Sequence, residues 1–240
     1  IRASERRNFL RIVALVLAAG ESRRMGMDKP KQYADIAGRS VLSFATQAFA
    51  SHASIHETRV VIRPEDLELY TEAIAPLHEM TLAIEQPLTG GATRQQSVRN
   101  ALEFLAAEKA PDAVLIHDAA RPSVPPEVID RTVQALGVAP AVVPALPIND
   151  TLKVAGSNNY VIDTRSREGL YRAQTPQGFH FQTILDAHRA VAQRNDLTDD
   201  AMVAEEAGIG VMLIDGDESN IKVTTKSDLR IVEKMLTDKN

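Results

Sequence analysis

The chain has 240 residues, 44% of them hydrophobic and 25% charged, with a formal net charge of -5. At about 150 residues per domain that length predicts one or two domains, with enough core to need no staples. The acidic balance argues against a nucleic-acid binder, and the lack of cysteine excludes a disulfide framework, thiolate catalysis and cysteine-ligated metal, as expected in a reducing compartment.

No apolar run approaches the roughly eighteen residues of a membrane span. The longest runs from Ile12 to Ala19. Arg2, Arg6, Arg7 and Arg11 before it and Ala18-Ala19-Gly20 after it imitate a secretory signal. The residues that follow, Glu21-Ser22-Arg23-Arg24, read instead as a phosphate loop. A chain opening on Ile1 is expected to have its native start upstream.

Residues 11–17 (RIVALVL) predict a strand buried on both faces. Ser40 caps a helix carrying Val41, Leu42, Phe44, Ala45, Ala48 and Phe49. A strand is expected over 58–62, with Pro64 in the first turn of the next helix, and a short strand over 81–84. Gly90-Gly91 marks a loop before a helix over 94–107. A buried strand over 113–117, a helix over 125–136 and a strand over 141–143 follow. Alternating strands and helices with short connections predict an α/β fold, a mostly parallel sheet covered on both faces. Loops 18–31, 87–94 and 117–122 would then meet at the carboxyl ends of the strands, where such sheets bind ligands.

Residues 150–154 and 160–164 alternate in character around Ala155-Gly156-Ser157-Asn158-Asn159, which predicts a β-hairpin. A hairpin is marginal alone, so it is expected to pack on something, such as another subunit. Helices over 182–194 and 199–207, strands over 211–214 and 221–223, and a helix over 227–236 complete the chain. The expectation is one domain over 1–240 with a projecting arm at roughly 146–168.

Small residues after the first strand, Ala18-Ala19-Gly20, let backbone amides approach a ligand, and Arg23, Arg24, Lys29 and Lys31 supply cations for a triphosphate. The spacing is neither GxxxxGK[ST] nor GxGxxG. Asp118, in His117-Asp118-Ala119-Ala120-Arg121-Pro122, is a lone carboxylate at a strand end. It suits Mg²⁺ or a local cap or salt bridge. His117 reads as packed or hydrogen-bonded. Gly90-Gly91-Ala92-Thr93-Arg94-Gln95-Gln96-Ser97 reads either as a base-reading loop or as a glycine turn into a helix. Thr198-Asp199 reads as a helix cap, and Lys222, between apolar neighbours, needs an anion.

The ordered set LAAGESRRMG, KPKQY, GGATRQQSV, HDAARP, NDT, SREGLYRAQTPQGF, TDDA and NIKVT resembles the 2-C-methyl-D-erythritol 4-phosphate cytidylyltransferases of the non-mevalonate isoprenoid pathway, from Leu17 to Thr224. The resemblance implies a Rossmann-like cytoplasmic transferase using CTP and Mg²⁺, releasing pyrophosphate, and a homodimer through the arm. It implies that Ala18, Ala19, Gly20, Gly91 and Ser97 hold the cytidine. Arg24 and Lys31 would contact the triphosphate and Lys222 the α-phosphate region. Asp118 would ligate the metal or position substrate. Arg121, Thr151, Arg167 and Thr198 would bind methylerythritol phosphate, with Thr151 and Arg167 coming from the partner's arm. Ala92 stands where some members carry an acidic residue, leaving base reading to backbone groups and Ser97. Some members are fused to a cyclodiphosphate synthase domain. Two rivals stay open: a ribitol 5-phosphate cytidylyltransferase, and a regulatory module that binds CTP without turnover.

Overall fold

A computed structural model describes residues 10–20, 29–80, 82, 84–194 and 196–238. Strand β1 (Ile12–Leu17) is followed by the short antiparallel pair β2 (Asp35–Ile36) and β3 (Arg39–Ser40). Helix α1 (Val41–Ala50) starts where Ser40 accepts a hydrogen bond from the Ser43 amide at 3.0 Å. Then come β4 (Glu57–Ile62), a 3-10 turn at Pro64–Asp66, α2 (Leu67–His78), β5 (Leu88–Thr89) and α3 (Arg94–Glu108). The middle of the chain supplies β6 (Ala113–Asp118), α4 (Pro126–Ala135) and β7 (Ala141–Pro147), then the hairpin β8 (Leu152–Ala155) and β9 (Val161–Arg165). The last elements are β10 (Tyr171–Ala173), β11 (Gln177–His180), α5 (Phe181–Ala190), α6 (Asp200–Glu206), β12 (Met212–Asp215) and α7 (Lys226–Thr237).

β1 is the spine. It pairs in parallel with β4 on one edge and β6 on the other, and β5 extends the β4 side. Beyond β6 lies β11, antiparallel, then β7. Both β11 and β12 pair with Val142, and both β10 and β12 with Ala145. A strand has only two edges, so β10 and β11 share one edge of β7 and β12 takes the other. One interrupted antiparallel strand thus sits inside an otherwise parallel sheet.

The unbroken apolar run of β1 follows from this burial. Ala14 and Val16 pack with Leu42 and Phe49 of α1, Ile74 of α2 and Ile129 of α4. Val13 and Leu15 point the other way, to Leu102 of α3, Ile184 of α5 and Val203 of α6. Successive strand residues face opposite sides, so a strand covered on both must be apolar throughout. A smaller cluster seats α7, through Val232, on Ile36, Val41 and Val223.

Several expectations are corrected. The strand expected over 81–84 is reduced to a single bridge between Thr58 and Ile84, and regular pairing falls at Leu88–Thr89 instead; residues 81 and 83 lie outside the described set. Residues 221–223 form no strand; Val223 donates once, to the Ala120 carbonyl at 2.8 Å. The helix expected to reach Arg194 ends at Ala190. Gln95 and Arg99 donate to the Val191 and Ala192 carbonyls just beyond it. β10 and β11 were not foreseen, because Pro176 and Gly178 break any strand period. A Cβ on Gly178 would meet Thr132 Cγ2 at 2.6 Å, so helix α4 lies directly on this strand.

The hairpin is present with the expected turn, which places Asn159 at φ 62. β9 is exposed along its whole length. No helix among the described residues is long and apolar enough to cross a membrane.

Candidate active site

The described parts of the three loops expected to converge do so, residues 21–28 lying outside the described set. A cleft at the carboxyl ends of β1 and β6 is lined by Leu17, Ala18, Ala19, Gly20, Lys31, Gln32, Arg94, Ser97, Asp118, Ala120 and Lys222. Gln32 ties the first loop down, donating to the Ala18 carbonyl at 2.7 Å and the Gly20 carbonyl at 3.3 Å. Lys31 stands beside it on the same 3-10 turn, Lys31–Tyr33. Arg24 lies outside the described residues.

The second loop is closed by Ser97. Its hydroxyl accepts from the Gly91 amide at 2.9 Å and donates to the Thr93 carbonyl at 2.9 Å. Gly90 is forced by close approach, since a Cβ there would meet Ala19 Cβ at 2.6 Å. Thr93 caps α3 by accepting from the Gln96 amide at 3.1 Å, which leaves Arg94 as the first helical residue, facing the cleft.

Asp118 ends β6, next to β1. Lys222 Nζ lies 2.6 Å from its Oδ2, and Arg94 Nε lies 3.4 Å from its Oδ1. Burial alone would push this carboxyl up. The charges of Arg94 and then Lys222 outweigh it and hold Asp118 well below the ordinary carboxylate range. The anion Lys222 needs is therefore Asp118. The lysine side chain is nonetheless 43% exposed, not enclosed as its apolar neighbours implied. Its loop is bolted down on both sides. Arg121 donates to the Asn220 carbonyl at 2.7 Å, Ser123 to the Ser219 carbonyl at 2.5 Å, and Asn220 to the Thr175 carbonyl at 2.8 Å.

His117 points away from the cleft into the core. Its Nε2–H donates to the Arg121 carbonyl at 3.0 Å, and its Nδ1 accepts from the Thr175 hydroxyl at 2.9 Å. That same hydroxyl accepts from the Asp118 amide at 3.1 Å. Burial pushes the His117 pKa down to about 4. A neutral ring with both nitrogens bonded is a structural group, not a general base.

The remaining residues singled out from sequence do not line this cleft. Arg121 is buried beside it with its Nε unpartnered; burial lowers its pKa, against the pull of Asp118. Thr198 is exposed ahead of α6, with its hydroxyl 3.9 Å from Met202 Sδ. The cap of α6 is Asp199 alone, accepting from the Met202 amide at 2.9 Å. Thr151 and Arg167 are exposed at the base of the arm, where Arg167 donates to the Asn149 carbonyl. Neither arm residue lines the cleft.

The sequence matches the family described as IspD, 2-C-methyl-D-erythritol 4-phosphate cytidylyltransferase, across residues 12–238. The chain belongs to this family. It is 49% identical over 217 residues to the bifunctional enzyme IspD/IspF of Paramagnetospirillum magneticum, covering 90% of this chain and 54% of that protein. The chain thus spans about half the length of the curated relatives it matches. Among solved structures it resembles a 4-diphosphocytidyl-2C-methyl-D-erythritol synthase, at 32% identity and a TM-score of 0.80, covering 95% of this chain and 99% of the other. It also resembles the bifunctional IspDF of Campylobacter jejuni, at 26% identity and a TM-score of 0.74, covering 92% of this chain and 53% of that one. The family fold is the α/β sheet described above.

Sequence reasoning gave no role to Gln32, Arg94 or Asp200. Each stands inside a motif that was read for its neighbours. One signal was available: two adjacent aspartates, Asp199 and Asp200, where one cap needs one.

Proposed function

We propose that the protein joins CTP to 2-C-methyl-D-erythritol 4-phosphate, giving 4-diphosphocytidyl-2-C-methyl-D-erythritol and pyrophosphate. The observation that carries this reading is the meeting of Lys31, Lys222, Arg94 and Asp118 around the small-residue loop Ala18–Gly20, in a chain of this family.

An oxygen of the substrate phosphate attacks the α-phosphorus. The bond from that phosphorus to the bridging oxygen breaks, and pyrophosphate leaves with the electron pair. A phosphate monoester with a second pKa near about 6 is mostly dianionic at neutral pH, so no proton has to be removed. The barrier is repulsion between anions, and Lys31 and Lys222 offset it where charge develops. Ala18, Ala19 and Gly20, with Gly91 and Ser97, hold the cytidine. Arg24 adds to the triphosphate contacts by family resemblance. Arg121 binds the methylerythritol phosphate. Its support is a guanidinium without an ion pair among the described residues and with a free Nε. Thr198 joins it at the same substrate.

The donor set fits Mg²⁺ of one kind only. No group of three His, Cys, Asp or Glu side chains converges among the described residues, so a protein cage is not supported. Among the described residues Asp118 is the one carboxylate lining the cleft, which fits a hydrated ion that takes phosphate oxygens as its other ligands. Bound there, Mg²⁺ would neutralise triphosphate charge.

The protein acts as a cytoplasmic homodimer in this reading. Tyr160, Val161 and Ile162 expose apolar surface on the arm, which a second copy would cover. Thr151 and Arg167 then reach the neighbour's substrate. The test is pyrophosphate release across several nucleoside triphosphates and polyol phosphates. Turnover with CTP and methylerythritol phosphate is expected. Preference for ribitol 5-phosphate, or CTP binding without release, would replace the reading.

A further inference from the structure

We infer that Arg94, Asp200 and His188 form a buried brace that positions Asp118 for the transfer step. The inference rests on the cytidylyltransferase reading. Arg94 bridges two carboxylates, with Nε 3.4 Å from Asp118 Oδ1 and its terminal nitrogen 2.8 Å from Asp200 Oδ2. Asp200 is 1% exposed at its side chain, and its Oδ1 accepts from His188 Nε2 at 3.1 Å. His188 is fully enclosed, and its Nδ1 has no partner. Gln177 seats the aspartate: its Oε1 accepts from the Asp200 and Ala201 amides at 3.1 and 3.0 Å, and its Nε2 donates to Asp199 at 2.8 Å.

Asp199 already caps α6, and an apolar filling of the same space is often as stable as a buried ion pair. What the cluster adds is direction. A guanidinium is a planar fork, so fixing one edge on Asp200 fixes the other toward Asp118. Each Asp118 oxygen then has its own cation, Arg94 on Oδ1 and Lys222 on Oδ2. When a triphosphate draws Lys222 away, Arg94 still holds the carboxylate in place. The charge of Arg94 is already matched by Asp200, so the brace contributes to turnover more than to nucleotide affinity.

The test is steady-state kinetics of the full chain with CTP, methylerythritol phosphate and Mg²⁺, beside thermal melts. Asp200→Asn keeps the shape of the side chain and removes its charge. In the folded variant kcat is expected to fall about 10–100-fold, as for other outer-shell partners, with KM for CTP within about threefold. The effect acts through Arg94, so adding Asp200→Asn to Arg94→Gln should cost little beyond Arg94→Gln alone. Unchanged kcat in a folded Asp200→Asn, or losses that multiply in the double variant, would overturn the brace. Should Asp200→Asn fail to fold, Arg94→Gln at the cleft wall decides. A fall in kcat at constant KM supports positioning, and a raised KM at constant kcat overturns it. Wild-type protein that releases no pyrophosphate from this substrate pair would sink the functional reading itself, a result separate from these.

Discussion

The cleft and the arm hold their candidate residues in opposite ways. Around the cleft, charged groups are tied to other elements: Lys222 to Asp118, Arg94 to Asp118 and Asp200, and Arg121 to the Asn220 carbonyl. On the arm, Thr151 and Arg167 are exposed, and β9 has no buried residue. The cleft is pre-organised by the core of the chain. The arm has register but little burial, so the core of the chain does not fix its side chains. Charge placed by a rigid scaffold is held where it can act directly, whereas charge on an exposed hairpin is not held in place by the core.

The largest test of this contrast is Lys222→Ala. Loss of one donor to developing charge typically costs about 2.7–4 kcal/mol, so kcat should fall by about 10²–10³ while the melting temperature barely moves. A variant that turns over normally would remove Lys222 from the chemistry.

The cleft floor has its own signature in acid. His117 has a folded pKa of about 4 against an ordinary 6.5, so the unfolded chain takes up the proton first. Stability should be fully present above about pH 6.5 and drain away toward pH 4, by about 3 kcal/mol from this group. Urea titrations in metal-free buffer at pH 7, 5.5 and 4 measure it, and His117→Gln should flatten the slope. An equally steep loss in the variant would assign it elsewhere.

Arg167→Ala should raise KM for methylerythritol phosphate by about tenfold, the worth of one charged hydrogen bond, and leave CTP affinity alone. Mixing it with Asp118→Ala should restore part of the activity if sites are shared across a dimer. Verified heterodimers without recovery would make each site self-contained.

The smallest effect belongs to the arm tip. Tyr160→Ser should change the unfolding free energy of an isolated protomer by less than about 0.5 kcal/mol, since the ring is 73% exposed. Sedimentation should nevertheless show weaker self-association, and unaltered association would place the interface away from the tip.

The layered α/β fold, the hairpin and the identity of the converging loops were legible in the chain because they depend on local pattern. A short β-branched run that is apolar at every position, such as Ile12–Leu17, fits a strand covered on both faces; a serine or threonine before a periodic run caps a helix; and small residues after a strand leave room for a ligand. What the tertiary structure alone decided is which charges meet. Asp118 and Lys222 are 104 residues apart, and Arg94 and Asp200 meet across the strand ends from two different helices. No periodicity encodes such pairs, because they follow from the order of strands in the sheet. The antiparallel β10–β11 segment escaped notice for the same reason: its pairing is enforced by β6 and β7 and by the packing of Thr132 over Gly178, not by its own residues. Local sequence thus sets what each segment is. The meeting of distant segments, where electrostatic energy depends on separations of a few ångströms, belongs to the folded whole.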